Sequence, residues 1–147
     1  MVARIAVGAL VVGLLSSTLE AGQAPAGYVK IATGAAFIVR AAQEHPARPG
    51  DPVYENDALR TGADGRLGVT LKDETRVSLG PNSEIALSEF KYSPAEQQLG
   101  LVMKVLRGVA AFVTGRIAKL HPDAMHIETP ACVIGVRGTH VAVRVGG

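Results

Sequence analysis

The chain has 147 residues, of which 48% are hydrophobic and 19% charged, with one cysteine and no tryptophan. This length fits a single domain, and one cysteine excludes an internal disulfide framework or a cysteine-based zinc cage. Seventeen glycines and eight prolines predict frequent chain reversals rather than long helices. The formal charge of +2 is dispersed with no basic block, so we expect no nucleic-acid partner.

The first 26 residues have the pattern of a secretory signal peptide. Arg4 precedes the apolar run Ile5–Leu15, which is shorter than the roughly 20 apolar residues that span a bilayer. Ala24-Pro25-Ala26 then supplies an Ala-x-Ala cleavage site. We expect a signal helix over residues 1–26 that is removed, leaving residues 27–147 as the mature domain. That domain would be periplasmic or secreted, with no stable membrane span. An uncleaved N-terminal anchor is the alternative.

From Gly27 onward, short segments alternate apolar and polar residues as half-buried strands do. The predicted strands cover residues 28–33, 36–41, 66–71, 76–79, 84–88, 99–105, 109–113, 125–128, 131–136 and 140–145. The polar stretch 91–98 is expected as a loop, and residues 115–122 as a loop or a single helical turn. Strands at this spacing, separated by turn residues, predict an all-β roll or sandwich of short, mostly antiparallel strands.

Arg107-Gly108 is predicted as the turn of a hairpin. Both residue rows of its strands are apolar, since Leu101, Met103 and Val105 alternate with Val102 and Leu106. Strands with two apolar faces are typical of sheets that are covered on both sides. We therefore expect this hairpin to be buried on both faces.

Cys132 and His140 are the only plausible nucleophile and base. A thiol nucleophile needs a neighbour that lowers its pKa. Cys132 instead stands between Ala131 and Val133 in a predicted apolar strand, where burial would favour the neutral thiol. The sequence therefore predicts that Cys132 is a small core residue, and it indicates no catalytic residue.

The remaining titratable residues suggest no metal site and no cofactor. The histidines at positions 45, 121, 126 and 140 have no metal-binding motif spacing. Four acidic residues lie in or beside turns, where carboxylates usually accept hydrogen bonds from their own backbone; they are Asp57, Asp64, Asp73 and Glu74. We therefore expect structural roles for these residues.

The most distinctive segment runs from Thr129-Pro130 through Gly135 to Arg137-Gly138-Thr139. Glycine within a strand marks a bulge or a close backbone approach, and a buried arginine has five donors that need acceptors. We interpret the segment as structural, with Arg137 bonded to backbone carbonyls or a carboxylate; an anion site is the alternative. On the structural interpretation, Arg137→Ala would lower stability by roughly 1–3 kcal/mol.

Two stretches resemble the FecR-type domain. The first comprises Arg60-Thr61-Gly62-Ala63-Asp64-Gly65-Arg66, the turn within residues 71–79, and Gly80-Pro81-Asn82-Ser83. The second is the segment 128–140, which contains the Thr-Pro and Gly-Val-Arg-Gly-Thr elements. In order and spacing the resemblance extends over roughly residues 27–145. One departure is Asp73-Glu74-Thr75, where the family has Asp-Gly-Ser, and it predicts a differently shaped hairpin.

The family's namesake is a bacterial regulator of iron-dicitrate uptake that receives a periplasmic signal from an outer-membrane transporter and controls a sigma factor. Since only Met1-Val2-Ala3-Arg4 precede the apolar segment, we do not expect the membrane-spanning regulator. The resemblance implies an exported, non-enzymatic module that senses a signal or binds an envelope protein. A structural or glycan-binding envelope protein is the alternative.

The C-terminal strand 140–145 carries an apolar row of Val141, Val143 and Val145. If this strand lies at a sheet edge, its unpaired backbone groups can pair with a partner's strand or with a second copy as a homo-oligomer. Val143→Pro should block such pairing, provided that the N–H of Val143 points outward.

Overall fold

The computed structural model describes residues 23–136 and 138–146, and these fold mostly into strands, as the sequence predicts. The expected signal helix lies outside the described residues. In chain order the elements are β1 (Gly27–Thr33), β2 (Ala36–Arg40), β3 (Gln43–Pro46), β4 (Pro52–Val53), β5 (Ala58–Thr61), β6 (Arg66–Leu71), β7 (Arg76–Leu79), β8 (Glu84–Ser93), β9 (Gln98–Val113), α1 (Arg116–Leu120), β10 (Met125–Glu128), β11 (Val133–Gly135) and β12 (His140–Val145).

The strands form one curled sheet whose two halves share β9. We call them sheet A, in the order β4-β1-β6-β7-β9-β12, and sheet B, in the order β3-β2-β5-β8-β9-β10-β11. The first half of β9 lies in sheet B and its second half lies in sheet A. All neighbouring strands are antiparallel except β9 and β10, which are parallel because the chain returns through α1.

The two sheets curl around a single core of aliphatic side chains. Every second residue of β6 is buried, namely Leu67, Val69 and Leu71, so the predicted alternation sets which face of the strand packs inward. Ile117 of α1 is fully buried in the same cluster. The helix therefore packs against the core, and the predicted helical turn within residues 115–122 is confirmed.

The predicted hairpin at Arg107-Gly108 is wrong, because β9 continues through it as a single 16-residue strand. Gly108 has a φ of +82°, and a Cβ at this position would collide with Ser83. Only glycine tolerates that conformation at so close an approach. Gly108 therefore permits β9 to pass from sheet B into sheet A without reversing.

The expected burial on both faces of this segment is also wrong, and the same bend explains it. Before the bend the odd-numbered residues, such as Met103 and Val105, are buried; after it the even-numbered Ala110 and Phe112 are buried. The register between β8 and β9 shifts at this point, as at a β-bulge. The two apolar rows in the sequence therefore reflect a switch from odd-numbered to even-numbered buried residues at the bend. Leu106 is 43% exposed.

The other differences are three strands that the sequence did not predict, β3, β4 and β5, and the ends of several elements. The predicted strands 125–128 and 140–145 are confirmed as β10 and β12. Strand β8 extends to Ser93, where a loop was expected, and the predicted strand 131–136 shortens to Val133–Gly135.

Candidate functional site

The distinctive Thr-Pro segment forms the tight turn between β10 and β11. The N–H of Thr129 donates to the Cys132 carbonyl at 2.8 Å, and the Thr129 hydroxyl accepts from the N–H of Cys132 at 3.1 Å. Pro130 occupies a central position of this turn, where it needs no donor. Thr129 and Pro130 therefore form this turn, and Gly135 ends β11 with open space around its Cα.

Thr114 joins the Gly-Thr part of the segment to the end of β9. Its hydroxyl donates to the Gly138 carbonyl at 2.9 Å, and its N–H donates to the Thr139 carbonyl at 2.8 Å. Gly138 has a φ of +115°, which favours glycine. Arg137 lies outside the described residues, so its interpretation as a structural residue stays a prediction. Sequence reasoning missed Thr114, because the only signal in the sequence is that this polar residue follows an apolar strand.

Cys132 is exposed, so the prediction that it is a core residue is wrong. The predicted apolar strand begins only at Val133, and Val133 itself is 65% exposed. Both residues lie in a hairpin at the sheet margin rather than in a covered strand. The Cys132 Sγ lies 3.4 Å from the Thr129 hydroxyl. Cys132 belongs to the turn between β10 and β11, whereas His140 is the first residue of β12.

Asp73 is the most buried carboxylate of the described residues, and it links the β6–β7 turn to α1. Its side chain accepts from the Thr75 N–H at 3.1 Å, the Thr75 hydroxyl at 2.7 Å and the Ile117 N–H at 3.2 Å. The Asp73 carbonyl accepts from Arg116 N–H at 2.7 Å, and a Cβ on Gly115 would collide with it. Asp73 therefore organises the first turn of α1, and its predicted structural role is confirmed.

Asp57 bonds to its own turn, as predicted, whereas Asp64 bonds to a segment 29 positions away in the chain. Asp57 accepts from the Tyr54 N–H at 2.8 Å and from two nitrogens of Arg40 at 3.0 and 2.7 Å. The hydrogen bond to Asp57 raises the pKa of the Arg40 guanidinium, which also lies 4.6 Å from the centre of the Tyr54 ring. Asp64 accepts from the Ala35 N–H at 3.1 Å.

An open cavity of about 430 Å³ lies between α1 and the residues Val136, Gly138 and Thr139. Its polar lining includes Lys119 and Asp123, both exposed, while the Thr114 hydroxyl is already bonded to Gly138. Among its described lining residues, the cavity therefore presents no buried, unpaired polar group to a ligand. Within residues 23–136 and 138–146, no cluster of three or more His, Cys, Asp or Glu residues could hold a metal ion.

The outer edge of β12 is the site where the backbone itself is available for binding. Strand β12 pairs with β9 on one side, and in the described segments no strand pairs with its other side. Thr139 lies opposite Thr114 and accepts its N–H, and such pairs alternate along an antiparallel ladder. The backbone groups of Val141, Val143 and Val145 therefore face β9. Those of His140, Ala142 and Arg144 face outward.

This orientation decides which substitution tests the edge. The N–H of Val143 points inward toward Ala110 of β9, and not outward as the Val143→Pro test requires. Val143→Pro would therefore break the internal ladder between β12 and β9. Ala142 is exposed and its N–H points outward. Ala142→Pro therefore removes an outward donor and leaves the bonds to β9 in place.

The other strands that end the two sheets, β3, β4 and β11, carry features that disfavour strand addition. Strand β3 is fully exposed and ends in Pro46, β4 has two residues and begins with Pro52, and β11 has three residues. Proline, charge and short length are the usual protections of an edge. Strand β12 has six residues, no proline and an inward-facing row of three valines. Of the four terminal strands β3, β4, β11 and β12, β12 thus offers the longest row of backbone donors and acceptors, and it contains no proline.

Comparisons with known proteins agree with the resemblance in the sequence. The family model described as FecR protein matches residues 57–147, more than half of the chain. No curated protein and no solved structure gave a match. In the part of the chain that the structure describes, no helix is long and apolar enough to cross a membrane.

Proposed function

Because the chain belongs to the FecR protein family, we propose that it is an exported, non-enzymatic module that binds an envelope protein through the outer edge of β12. The family supports a sensing or regulatory role in the periplasm. The observation that carries the proposal is the contrast between β12 and the three protected edges β3, β4 and β11. Addition of a strand to an exposed edge is a common mode of protein recognition.

The apolar side of β12 would also gain from a partner strand. Val143 is buried in the core, whereas Val141 and Val145 are only partly buried at its margin. A strand added beside β12 would cover these two side chains and extend the core by one strand. Burial of apolar surface would therefore add to the hydrogen bonds of the new ladder, at roughly 25 cal/mol per Å².

The alternative of a glycan-binding protein has less support. Sugar-binding surfaces use exposed aromatic rings, and among the described residues Tyr28, at 40% exposure, is the one exposed aromatic side chain. Tyr54 is held under the Arg40 guanidinium. A single aromatic ring at the corner of sheet A provides no row on which successive sugar rings could stack.

The proposal is tested by retention of envelope proteins on three immobilised forms: wild type, Ala142→Pro and Ala142→Ser. Serine keeps the outward N–H of residue 142 and is the matched control. We expect wild type and Ala142→Ser to retain the same partner, and Ala142→Pro to retain at least about tenfold less, because one outward donor is lost. Hydrogen exchange with the retained partner should slow at His140, Ala142 and Arg144.

Thermal unfolding of Ala142→Pro should stay close to that of wild type, since Ala142 makes no backbone bond to β9. A folded Ala142→Pro protein that retains the partner as wild type does would contradict binding at this edge. Unchanged exchange at the three outward amides would contradict it independently.

A further inference from the structure

The two sheets differ in how their cations are balanced. All five lysines and arginines on the strands of sheet B that lie before the bend at Gly108 pair with a carboxylate; they are Arg40, Arg60, Lys91, Lys104 and Arg107. The distances between the charged atoms run from 2.7 to 3.9 Å. Sheet B therefore presents a surface whose charges are neutralised within the domain.

Sheet A has cations and no internal carboxylates to balance them. Its strands, including β9 after Gly108, carry Lys30, Arg66, Arg76 and Arg144 and contain no aspartate or glutamate. None of these four cations lies within 4 Å of a carboxylate in the described residues. Arg66, Arg76 and Arg144 alternate with buried neighbours and are exposed, so they lie on the outer face of the sheet.

Strand register places part of this charge at the β12 edge. Arg144 and His140 lie on the outer face of β12 itself, and Arg76 is opposite Val113, which is opposite His140. Between them the outer face carries short side chains, with Ser78 opposite Ala111 and Ala111 opposite Ala142. Arg76 and Arg144 are therefore both exposed on this face. A strand added to β12 would place its outward side chains directly opposite His140 and Arg144.

We infer that the strand that β12 accepts is acidic, with carboxylates at alternate positions on its outer face and apolar side chains on its inner face. This inference rests on the proposed function, and it adds the chemical class of the partner. Opposite charges on facing residues of neighbouring strands stabilise the pair, and like charges destabilise it. Arg144 thus protects the edge against basic strands and favours acidic ones.

The same charges disfavour a second copy of the chain. In an antiparallel pair of β12 strands centred on Ala142, Arg144 of each copy would face His140 of the other. Any such pairing would also join two cationic faces that contain no acidic residue. Charge complementarity therefore favours a partner of different sequence over self-association.

The test uses a blocked heptapeptide that alternates valine with glutamate, and the same peptide with lysine in place of glutamate. Each is titrated into residues 23–147, with the affinity and the amide exchange of residues 140, 142 and 144 as readouts. We expect the glutamate peptide to bind at least about tenfold more tightly than the lysine peptide, and to slow exchange at the three amides. Higher salt should weaken its binding.

Charge-reversal variants give a graded prediction. Arg144→Glu, directly opposite the added strand, should weaken glutamate-peptide binding about 3- to 10-fold. Arg76→Glu, two strands further in, should weaken it less and only at low salt. Arg48→Glu is the matched control, because Arg48 is exposed and lies next to β4 at the far end of sheet A. It makes the same change in net charge and should have no effect.

The outcomes separate this inference from the proposed function. Equal binding of both peptides, with protected amides, would overturn the acidic partner and leave strand addition in place. Glutamate-peptide binding that Ala142→Pro does not reduce would overturn strand addition, as would binding to anionic lipid vesicles without binding to the peptide. Self-association in sedimentation that Ala142→Pro abolishes would assign the edge to a second copy and overturn the inference.

Discussion

Asp73 combines complete burial with three side-chain hydrogen bonds and one carbonyl hydrogen bond. A buried carboxylate is stable only when its oxygens accept several hydrogen bonds. Here the donors come from the β6–β7 turn and from the first residues of α1. One side chain thus couples a turn of sheet A to the helix that packs on the core.

Asp73→Asn should lower the free energy of unfolding by about 1–3 kcal/mol, because the new amide group faces donors and leaves one of them unpaired. Urea unfolding measures the loss. Asp123→Asn is the matched control, since Asp123 is exposed, and it should stay within about 0.5 kcal/mol of wild type. Equal stability of the two variants would contradict the role given to Asp73.

Exposure of Cys132 gives a second prediction at the scale of one residue. In the native protein its thiol should react with a water-soluble maleimide within about tenfold of the rate in urea, because no packing covers the sulfur. Mass spectrometry of timed samples measures the rate, and Cys132→Ser should take up no label. A thiol that reacts only after unfolding would restore the earlier assignment to the core.

At the scale of elements, the β6–β7 turn holds Glu74 at a φ of +73°, a left-handed conformation that glycine favours. Glu74→Gly should therefore stabilise the domain by about 0.5–1 kcal/mol. The exposed ion pair with Arg116 at 3.5 Å contributes little, so its loss does not offset the gain. Glu74→Ala keeps the strain and should be no more stable than wild type in thermal unfolding. Equal stability of the two variants would contradict this explanation.

The existence of most strands followed from the sequence, although β3, β4 and β5 were missed, whereas strand continuity did not. Alternation identified β6, β7, β10 and β12 because each has one buried face. It failed at Gly108, because a glycine after a charged residue is equally typical of a turn and of a bend within a strand. The distinction depends on the close approach of Ser83, which lies 25 positions away in the chain.

The candidate site, too, could be predicted only in part from the sequence. The valine row of β12 indicated a strand that could lie at an edge, and β12 does lie at an edge of sheet A. The direction of each N–H depends on the register with β9, which the sequence of β12 alone does not contain. The same limit applies to Cys132, because nothing near it in sequence reports that its hairpin lies at the sheet margin.

At the scale of the whole molecule, β9 connects two sheets with different surfaces. Sheet B balances its cations internally, and three of the four terminal strands are short or carry proline. The unbalanced cations and the unprotected edge both belong to sheet A. The proposed binding edge and the unpaired cations therefore lie in the same sheet, while sheet B contributes ion pairs of modest stability.

The start of the folded domain supplies the last prediction. Ala26 is 2% exposed, its N–H donates to the Val53 carbonyl at 2.7 Å, and its carbonyl accepts from the Lys72 N–H at 2.8 Å. Signal cleavage after Ala26, which stays our prediction, would remove both bonds and place a charged amino group on buried Gly27. A protein that begins at Gly27 should therefore be about 1–3 kcal/mol less stable than one that begins at Gln23. Thermal unfolding of the two forms measures the difference, and mass spectrometry of the exported protein locates its first residue. Equal stability would contradict the role of Ala26 in the fold, and a first residue upstream of Ala26 would contradict the cleavage site.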